Sequence, residues 1–132
     1  MYRWVDHTAE VELEIEAPSE AEVLAEAMRA LAELLGITTA PARALETRTL
    51  AVAASDRPAL LAAWLEELVF LGESEGFVAT AIHTIDLIAD GLTATVAGVI
   101  DEPPPLVKAV TYHRLTFEHA GDGYVASVVL DV

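Results

Sequence analysis

Two segments near the ends of the chain contain residues that could bind a divalent cation. One is Asp6-His7-Thr8-Ala9-Glu10, which leads into an alternating stretch, and the other is the end of the sequence, Leu130-Asp131-Val132. Carboxylate oxygens are the ligands that hard cations prefer. Asp131 shares a face of the predicted last strand with Val129, so its carboxylate needs a cation or hydrogen-bond donors. The α-carboxylate of Val132 would add a further negative charge beside it.

A third segment, Val107 to His113, contains Lys108, the only lysine in a chain with 22 acidic and seven basic residues. A single lysine in so acidic a protein could pair with the carboxylates of the other two segments, or reach a phosphate or an acidic group on a partner. His113 shares a strand face with Leu115 and Phe117. This pattern predicts a partly buried, hydrogen-bonded histidine rather than a metal ligand.

Each segment also has a purely structural interpretation, which spacing alone leaves open. Glu10 begins a row of glutamates at alternate positions, the pattern of a solvated strand face, with Asp6 and His7 in a turn before it. Asp131 and Val132 would then be a frayed terminus. Lys108 would be an ordinary solvated lysine.

The composition limits the classes of function. A formal charge of −15 disfavours direct, tight binding to nucleic acid, because phosphate backbones are bound largely through lysine and arginine. The same charge suits docking on a basic protein, or simple solubility. The absence of cysteine excludes thiol catalysis and disulfides. Glycine-rich phosphate loops, a His-Glu-x-x-His helix and a Gly-x-Ser-x-Gly nucleophile are all missing, so the sequence does not predict an independent enzyme.

Length and hydropathy predict one domain over residues 1–132, since more than half of the residues are apolar and the length suits a single core. The N-terminus lacks the features of a secretory signal. Charged residues interrupt the longest apolar stretch, 50–71, so we expect no membrane span. We therefore expect a cytoplasmic protein, and its oligomeric state stays open.

Hydrophobic periodicity predicts the elements that must position these segments. Alternation over residues 10–16 predicts a first strand, and a capping box at Ser19 begins a first helix that ends near Gly36. A second strand is predicted over Ala42 to Ala54. Ser55-Asp56 then offers the cap of a second helix, which has a wide apolar stripe and ends near Gly72 or Gly76. We expect this helix to be the more buried of the two.

The remainder of the chain is predicted to form strands. Residues 77–89 and 92–100 are joined by an Asp-Gly turn, which is typical of tight hairpins. The prolines at 103–105 interrupt the sheet, and strands over 111–119 and 124–132 form a second hairpin. The predicted order is β-α-β-α-β-β-β-β. It indicates an α+β single domain with two helices packed on a largely antiparallel sheet.

Together, the three segments resemble those of the archease family. The family pattern opens with His-Thr-Ala-Asp before a strand, and this chain has His7-Thr8-Ala9-Glu10. The family block Val-Lys-Ala-x-Thr-Tyr-His is intact over Val107 to His113. Family chains commonly stop at Asp followed by Ile or Val, as Asp131-Val132 does here. The resemblance covers essentially the whole chain, and the lysine block is its most specific part.

The resemblance implies an accessory factor of the RtcB-type RNA ligase, which acts in tRNA splicing and RNA repair. Archeases promote guanylylation of the ligase's active-site histidine and so permit its multiple turnover. Carried over by position, the ligands of a divalent metal would be Glu10, Asp131 and the carboxylate of Val132. Lys108 would be the functional lysine. The other candidate functional residues in the matching motifs are Asp6, His7 and His113.

The implied metal is Ca²⁺, with Mg²⁺ or Mn²⁺ as alternatives. Glu10 stands where the family has aspartate, so the carboxylate is one methylene further from the backbone. Flexible Ca²⁺ sites tolerate such a change better than octahedral Mg²⁺ sites do.

Two other functions use the same residues. One is a stand-alone metal-dependent phosphoesterase, which would turn over phosphoesters without a partner. The other is an acidic protein-binding module without a metal role, which would tolerate charge-neutral changes at the C-terminus.

Overall fold

In the computed structural model, residues 1–37 and 45–132 are described, and they form two helices and seven strands. The elements in chain order are β1 (Tyr2–His7), β2 (Glu10–Ala17), α1 (Glu20–Leu34), β3 (Glu46–Ala53), α2 (Arg57–Glu75), β4 (Phe77–Ile88), β5 (Gly91–Ile100), β6 (Ala109–Ala120) and β7 (Gly123–Asp131). The predicted α+β order is confirmed, and the additional strand β1 precedes it. The predicted start of the second strand, residues 42–44, lies outside the described residues.

All strand pairs are antiparallel, but they divide into two sheets with the orders β1-β2-β7-β6 and β3-β5-β4. In the four-stranded sheet, β2 pairs with β7 from Glu10–Asp131 to Ala17–Tyr124. Residues 103–105 are three prolines between β5 and β6. Because prolines supply no ladder donors, the chain leaves one sheet there and continues in the other.

The helices begin where capping chemistry predicts, and the second ends at the later of the two predicted glycines. Ser19 Oγ accepts the N–H of Glu22 at 3.2 Å, and Asp56 Oδ1 accepts the N–H of Ala59 at 2.8 Å. These bonds satisfy N–H groups that have no partner within the helix. Gly76 ends α2 in the left-handed region at φ 67°, where a side chain would be strained.

The prediction that the second helix is the more buried is wrong. Eight of the 15 residues of α1 are buried, against eight of the 19 residues of α2. The apolar residues of α2 do not form a single stripe, because Phe70 lies on a face that points away from the core and is 57% exposed.

The larger of two apolar clusters among the described residues joins both helices to both sheets. The Trp64 side chain of α2 is fully buried at its centre, and its Nε1 donates to the main-chain oxygen of Leu24 in α1 at 3.0 Å. Leu13 of β2 and Leu130 of β7 are also fully buried. Because side chains alternate along a strand, the neighbouring acidic positions of β2 project from the opposite face of the sheet.

Gly98 of β5 marks a close approach between two strands that the sequence does not reveal. A Cβ atom there would lie 2.1 Å from the main-chain oxygen of Val78, beside an irregularity in the β4–β5 register between Ala79 and Ala81. The neighbouring backbone cannot rotate away as a side chain can. We expect Gly98→Ala to lower the free energy of unfolding by about 2 kcal/mol or more, measured by urea denaturation.

Gly72→Ala is the matched control for this substitution. Its Cβ would meet Pro103 Cγ at 3.4 Å, which is ordinary contact, and it lies inside α2, where alanine is favoured by up to about 1 kcal/mol. We expect Gly72→Ala to be neutral or stabilising. Equal losses in the two variants would contradict the close approach at Gly98.

Candidate functional site

The first and last candidate segments meet at one edge of the four-stranded sheet. Glu10 is the first residue of β2 and Asp131 the last residue of β7, and the two are direct partners in the β2–β7 register. Residues directly opposite in antiparallel strands project from the same face. The structure therefore brings together the two side chains that the sequence places 121 positions apart.

The type of strand pairing makes this approach close. The Val132 N–H donates to the main-chain oxygen of Ala9 at 3.1 Å, so the hydrogen bond lies beside the Glu10–Asp131 pair and not within it. Such non-hydrogen-bonded pairs have the shorter separation, about 4.5 Å between Cα atoms. The same bond holds Val132 at the turn between β1 and β2.

That turn is strained. His7 pairs with Glu10, which leaves Thr8 and Ala9 as a two-residue turn, and Ala9 has φ 58°. A non-glycine residue pays roughly 1–2 kcal/mol for this left-handed conformation. Strain of this kind is often found at functional sites, where the surrounding structure holds it in place. Here the carbonyl of the strained residue is the one that accepts from Val132.

Neither carboxylate of the pair forms an ion pair among the described residues. Within the described part of the chain, no lysine, arginine or histidine nitrogen lies within 4 Å of Glu10 or Asp131. Both residues are half-buried. Like charges directly opposite each other in a sheet are unfavourable unless a cation compensates them. The pair is therefore an anionic site that favours an ion or a cationic group of a partner.

His7 shares the sheet face of the carboxylate pair, because it is the β1 partner of Glu10. Its Nε2 lies 3.2 Å from Glu12 Oε1, and Arg114 Nη1 lies 3.5 Å from the same oxygen. Arg114 reaches Glu12 from a register irregularity between Thr111 and Thr116, where its own φ is 57°. Local sequence patterns do not predict this second charged group next to the carboxylates, since the irregularity depends on strand pairing.

Lys108 contacts the site through a main-chain hydrogen bond. Its N–H donates to the main-chain oxygen of Asp131 at 2.7 Å. Its side chain is exposed and lines a groove with Phe70 and Glu73 of α2. Among the described residues, Lys108 has no carboxylate within 4 Å, so the expected pairing with Glu10 or Asp131 is not formed. The positive charge is left available to another molecule.

The other two candidates lie apart from the carboxylate pair. Asp6 pairs with Val11 in the β1–β2 register and so projects from the opposite face of the sheet. His113 is exposed, and the prediction that it is partly buried and shares a face with Phe117 is wrong. The irregularity between Thr111 and Thr116 interrupts the alternation on which that prediction depended.

The donor groups at the edge suit a hard cation. Within residues 1–37 and 45–132, no group of three or more His, Asp or Glu side chains is placed to hold a metal ion. Glu10 and Asp131 supply two carboxylates, so a metal bound here needs main-chain oxygen as well. Ca²⁺ accepts carboxylate and main-chain oxygens in flexible geometries. Glu10, Asp131 and a main-chain oxygen of Val132 are the groups that would hold such an ion.

A family model decides the assignment. The model of the Archease protein family (MTH1598/TM1083) matches residues 2–132. The chain belongs to the archease family. Among the curated archeases, the one from Pyrobaculum neutrophilum is 28% identical over 99% of this chain and 95% of its own length. The archease from Archaeoglobus fulgidus is also 28% identical, over 99% of this chain and 98% of its own.

Solved structures agree with the archease assignment and with the fold. Methanobacterium thermoautotrophicum protein 1598 has a TM-score of 0.77 and 28% identity, over 99% of this chain and 98% of that one. The structure from Thermotoga maritima, described as an archease and possible chaperone, has a TM-score of 0.70 and 26% identity, over 100% of this chain and 98% of its own. A shared fold does not establish a function, so the function of this archease has to be argued from the residues of its site.

Neither helix of this archease, among the described residues, is long and apolar enough to cross a membrane.

Proposed function

We propose that this archease activates an RtcB-type RNA ligase in the cytoplasm, promoting guanylylation of the ligase and its multiple turnover in tRNA splicing and RNA repair. The observation that supports the proposal best is the meeting of the three family segments at one sheet edge. Glu10 faces Asp131, and Lys108 is hydrogen-bonded to the main chain of Asp131. The description of the Thermotoga maritima relative as a possible chaperone is in keeping with a protein partner.

In this proposal the edge binds one divalent cation, Ca²⁺ in preference to Mg²⁺ or Mn²⁺. The ligands are Glu10, Asp131 and a main-chain oxygen of Val132. When bound, the ion neutralises the paired carboxylates and offers a positive centre to oxygen groups of the partner. The role of the protein's own residues is to hold these oxygens at a rigid sheet edge, with the strained turn at Ala9 fixing the position of Val132.

Charge supports a protein partner over a direct RNA substrate. The formal charge of −15 repels a phosphate backbone but would attract a basic surface on a partner protein. We expect the association to weaken as salt is added, because long-range attraction between exposed charges is screened.

Lys108 tests the proposal without altering the carboxylates. We expect Lys108→Gln to lower the stimulation of multiple-turnover ligation by about tenfold, since one charge-assisted contact to the partner would be lost. The measurement is ligation of RNA with a 2′,3′-cyclic phosphate end by the purified ligase, GTP and divalent ion present, with and without the archease.

Arg3→Gln is the control, because it removes the same charge from an exposed residue of β1 that pairs with Glu14 at 2.8 Å. We expect it to stimulate ligation within twofold of wild type. The proposed role of Lys108 fails if the two variants behave alike. The proposed function itself fails if wild-type protein does not stimulate the ligase.

A further inference from the structure

We propose that the partner protein docks in the groove beside Phe70, and that the docked segment presents an apolar side chain flanked by basic residues. This rests on the proposed function, because the partner is taken to be the ligase. The groove has a volume of about 160 Å³. We call it the Phe70 groove, and its defining residues are Glu66, Val69, Phe70, Glu73, Lys108 and Val110.

The floor of the Phe70 groove is apolar and solvent-accessible. Phe70 is 57% exposed and lies beside Val69 of α2 and Val110 of β6. Leu106, 42% exposed, lines an adjoining depression that also includes Val69. A concave apolar surface around an exposed aromatic side chain is typical of the centre of a protein interface.

The part of the rim that belongs to α2 is acidic, and Lys108 adds one positive charge to the lining of the groove. Glu66 and Glu73 lie four residues before and three residues after Phe70, so all three share one face of α2. Within the described residues, neither glutamate has a basic group within 4 Å, whereas every described arginine pairs with a carboxylate. The rim therefore keeps two uncompensated negative charges on either side of the aromatic ring.

This charge arrangement selects the occupant. Basic residues that flank an apolar side chain would pair with Glu66 and Glu73 while the apolar group contacts Phe70. A nucleic acid would bring phosphates to an acidic rim, and a second copy of this chain would bring a formal charge of −15. Both are disfavoured by repulsion, which leaves a basic surface of another protein.

The groove is continuous with the carboxylate edge through Lys108. The side chain of Lys108 lines the groove, and its main-chain N–H is bonded to Asp131 at 2.7 Å. A partner segment held by Phe70 is therefore placed beside the Glu10–Asp131 pair. The groove provides affinity and orientation, while the carboxylate edge acts on the partner.

The first test measures the affinity of the purified ligase for the full-length chain by titration. We expect Phe70→Ser to raise the dissociation constant at least tenfold. Ile88→Ser, which alters an equally exposed residue of β4 (60%), should change it less than twofold. Thermal unfolding of each variant checks that the fold is retained.

The second test distinguishes the effect of the rim glutamates on affinity from the effect of the total charge of the protein. Glu66→Lys with Glu73→Lys changes the total charge as much as Glu118→Lys with Asp122→Lys, and the second pair lies on exposed parts of β6 and its turn. We expect only the first pair to raise the dissociation constant at least tenfold. Equal weakening by both pairs would assign the effect to net charge and overturn the docking groove.

Other outcomes distinguish this inference from the proposed function. If wild type stimulates the ligase and Phe70→Ser binds as tightly as wild type, the groove is wrong and the proposed function stands. If wild type neither binds nor stimulates the ligase, both fail. If sedimentation shows that wild type self-associates and Phe70→Ser does not, the occupant is a second copy, which also overturns the inference.

Discussion

Asp131→Asn is expected to lower the affinity of the protein for Ca²⁺ by about 100-fold and to abolish stimulation of the ligase at micromolar Ca²⁺. Loss of a group that only supports a metal ligand lowers the metal affinity by up to about 100-fold. Loss of a direct carboxylate ligand should lower it at least as much. Asp131 faces Glu10 and forms no ion pair among the described residues, so neither the asparagine nor a nearby side chain can replace the charge. Calorimetric titration with Ca²⁺ measures the affinity.

The same substitution should have the opposite effect on stability. In metal-free buffer, Asp131→Asn removes a like-charge contact with Glu10, and we expect the free energy of unfolding to rise by about 0.5 kcal/mol. A residue with a purely structural role would not gain stability when its charge is removed. Weaker Ca²⁺ binding together with higher metal-free stability is therefore the expected pattern for a functional carboxylate.

Two controls accompany Asp131→Asn. Asp122→Asn removes an acidic side chain from the exposed turn between β6 and β7 and should leave the Ca²⁺ affinity unchanged. Glu10→Asp keeps the charge, and it should bind Ca²⁺ within about tenfold of wild type, because flexible sites adjust to one methylene. The metal site is refuted if Asp131→Asn binds Ca²⁺ as wild type does.

Trp64→Ala is expected to cost about 3–5 kcal/mol of unfolding free energy, the usual loss for a fully buried tryptophan. The side chain is completely buried, and its Nε1 donates to Leu24 at 3.0 Å, which ties α2 to α1. A domain of this size has a total free energy of unfolding of about 5–15 kcal/mol. We therefore expect the Tm to fall by roughly 10–20 °C, measured by circular dichroism.

Trp64→Phe separates packing from hydrogen bonding at this position. It keeps most of the apolar volume but leaves Leu24 without the indole donor, so we expect a smaller loss, about 1–2 kcal/mol. If Trp64→Ala lost no more than Trp64→Phe, the contribution of Trp64 to core packing would be contradicted.

The helix boundaries could be predicted because the information is local. Ser19 and Asp56 cap the helices through contacts only three residues away. The end of α2 was predicted at Gly72 or Gly76, and it is Gly76 that adopts the left-handed conformation. The β4–β5 hairpin could be predicted for the same reason, since its Asp-Gly turn and its two strands are adjacent in sequence. Strand β1 was missed because its two-residue turn, Thr8-Ala9, contains none of the residues that usually mark a hairpin.

Predictions that depended on unbroken alternation failed where the strands are irregular. His113 was expected to be partly buried with Phe117, but the register changes between Thr111 and Thr116, and Arg114 adopts a positive φ. The burial of α2 was overestimated for a related reason. The sequence of α2 is apolar on most sides of the helix. It does not reveal that the packing of β6 leaves the face with Phe70 open.

The sequence by itself determined the residue types of the site, the family and the local elements, because motifs and caps depend on neighbours in the chain. Only the tertiary structure decided that Glu10 faces Asp131, since pairing between the second and last strands is a long-range event that local patterns do not encode. It also decided that Lys108 reaches the site through its main chain while its side chain lines the Phe70 groove. The physical reason is that strand register follows from burial of Leu13 and Leu130 in a shared core, and that burial fixes where the charged residues project.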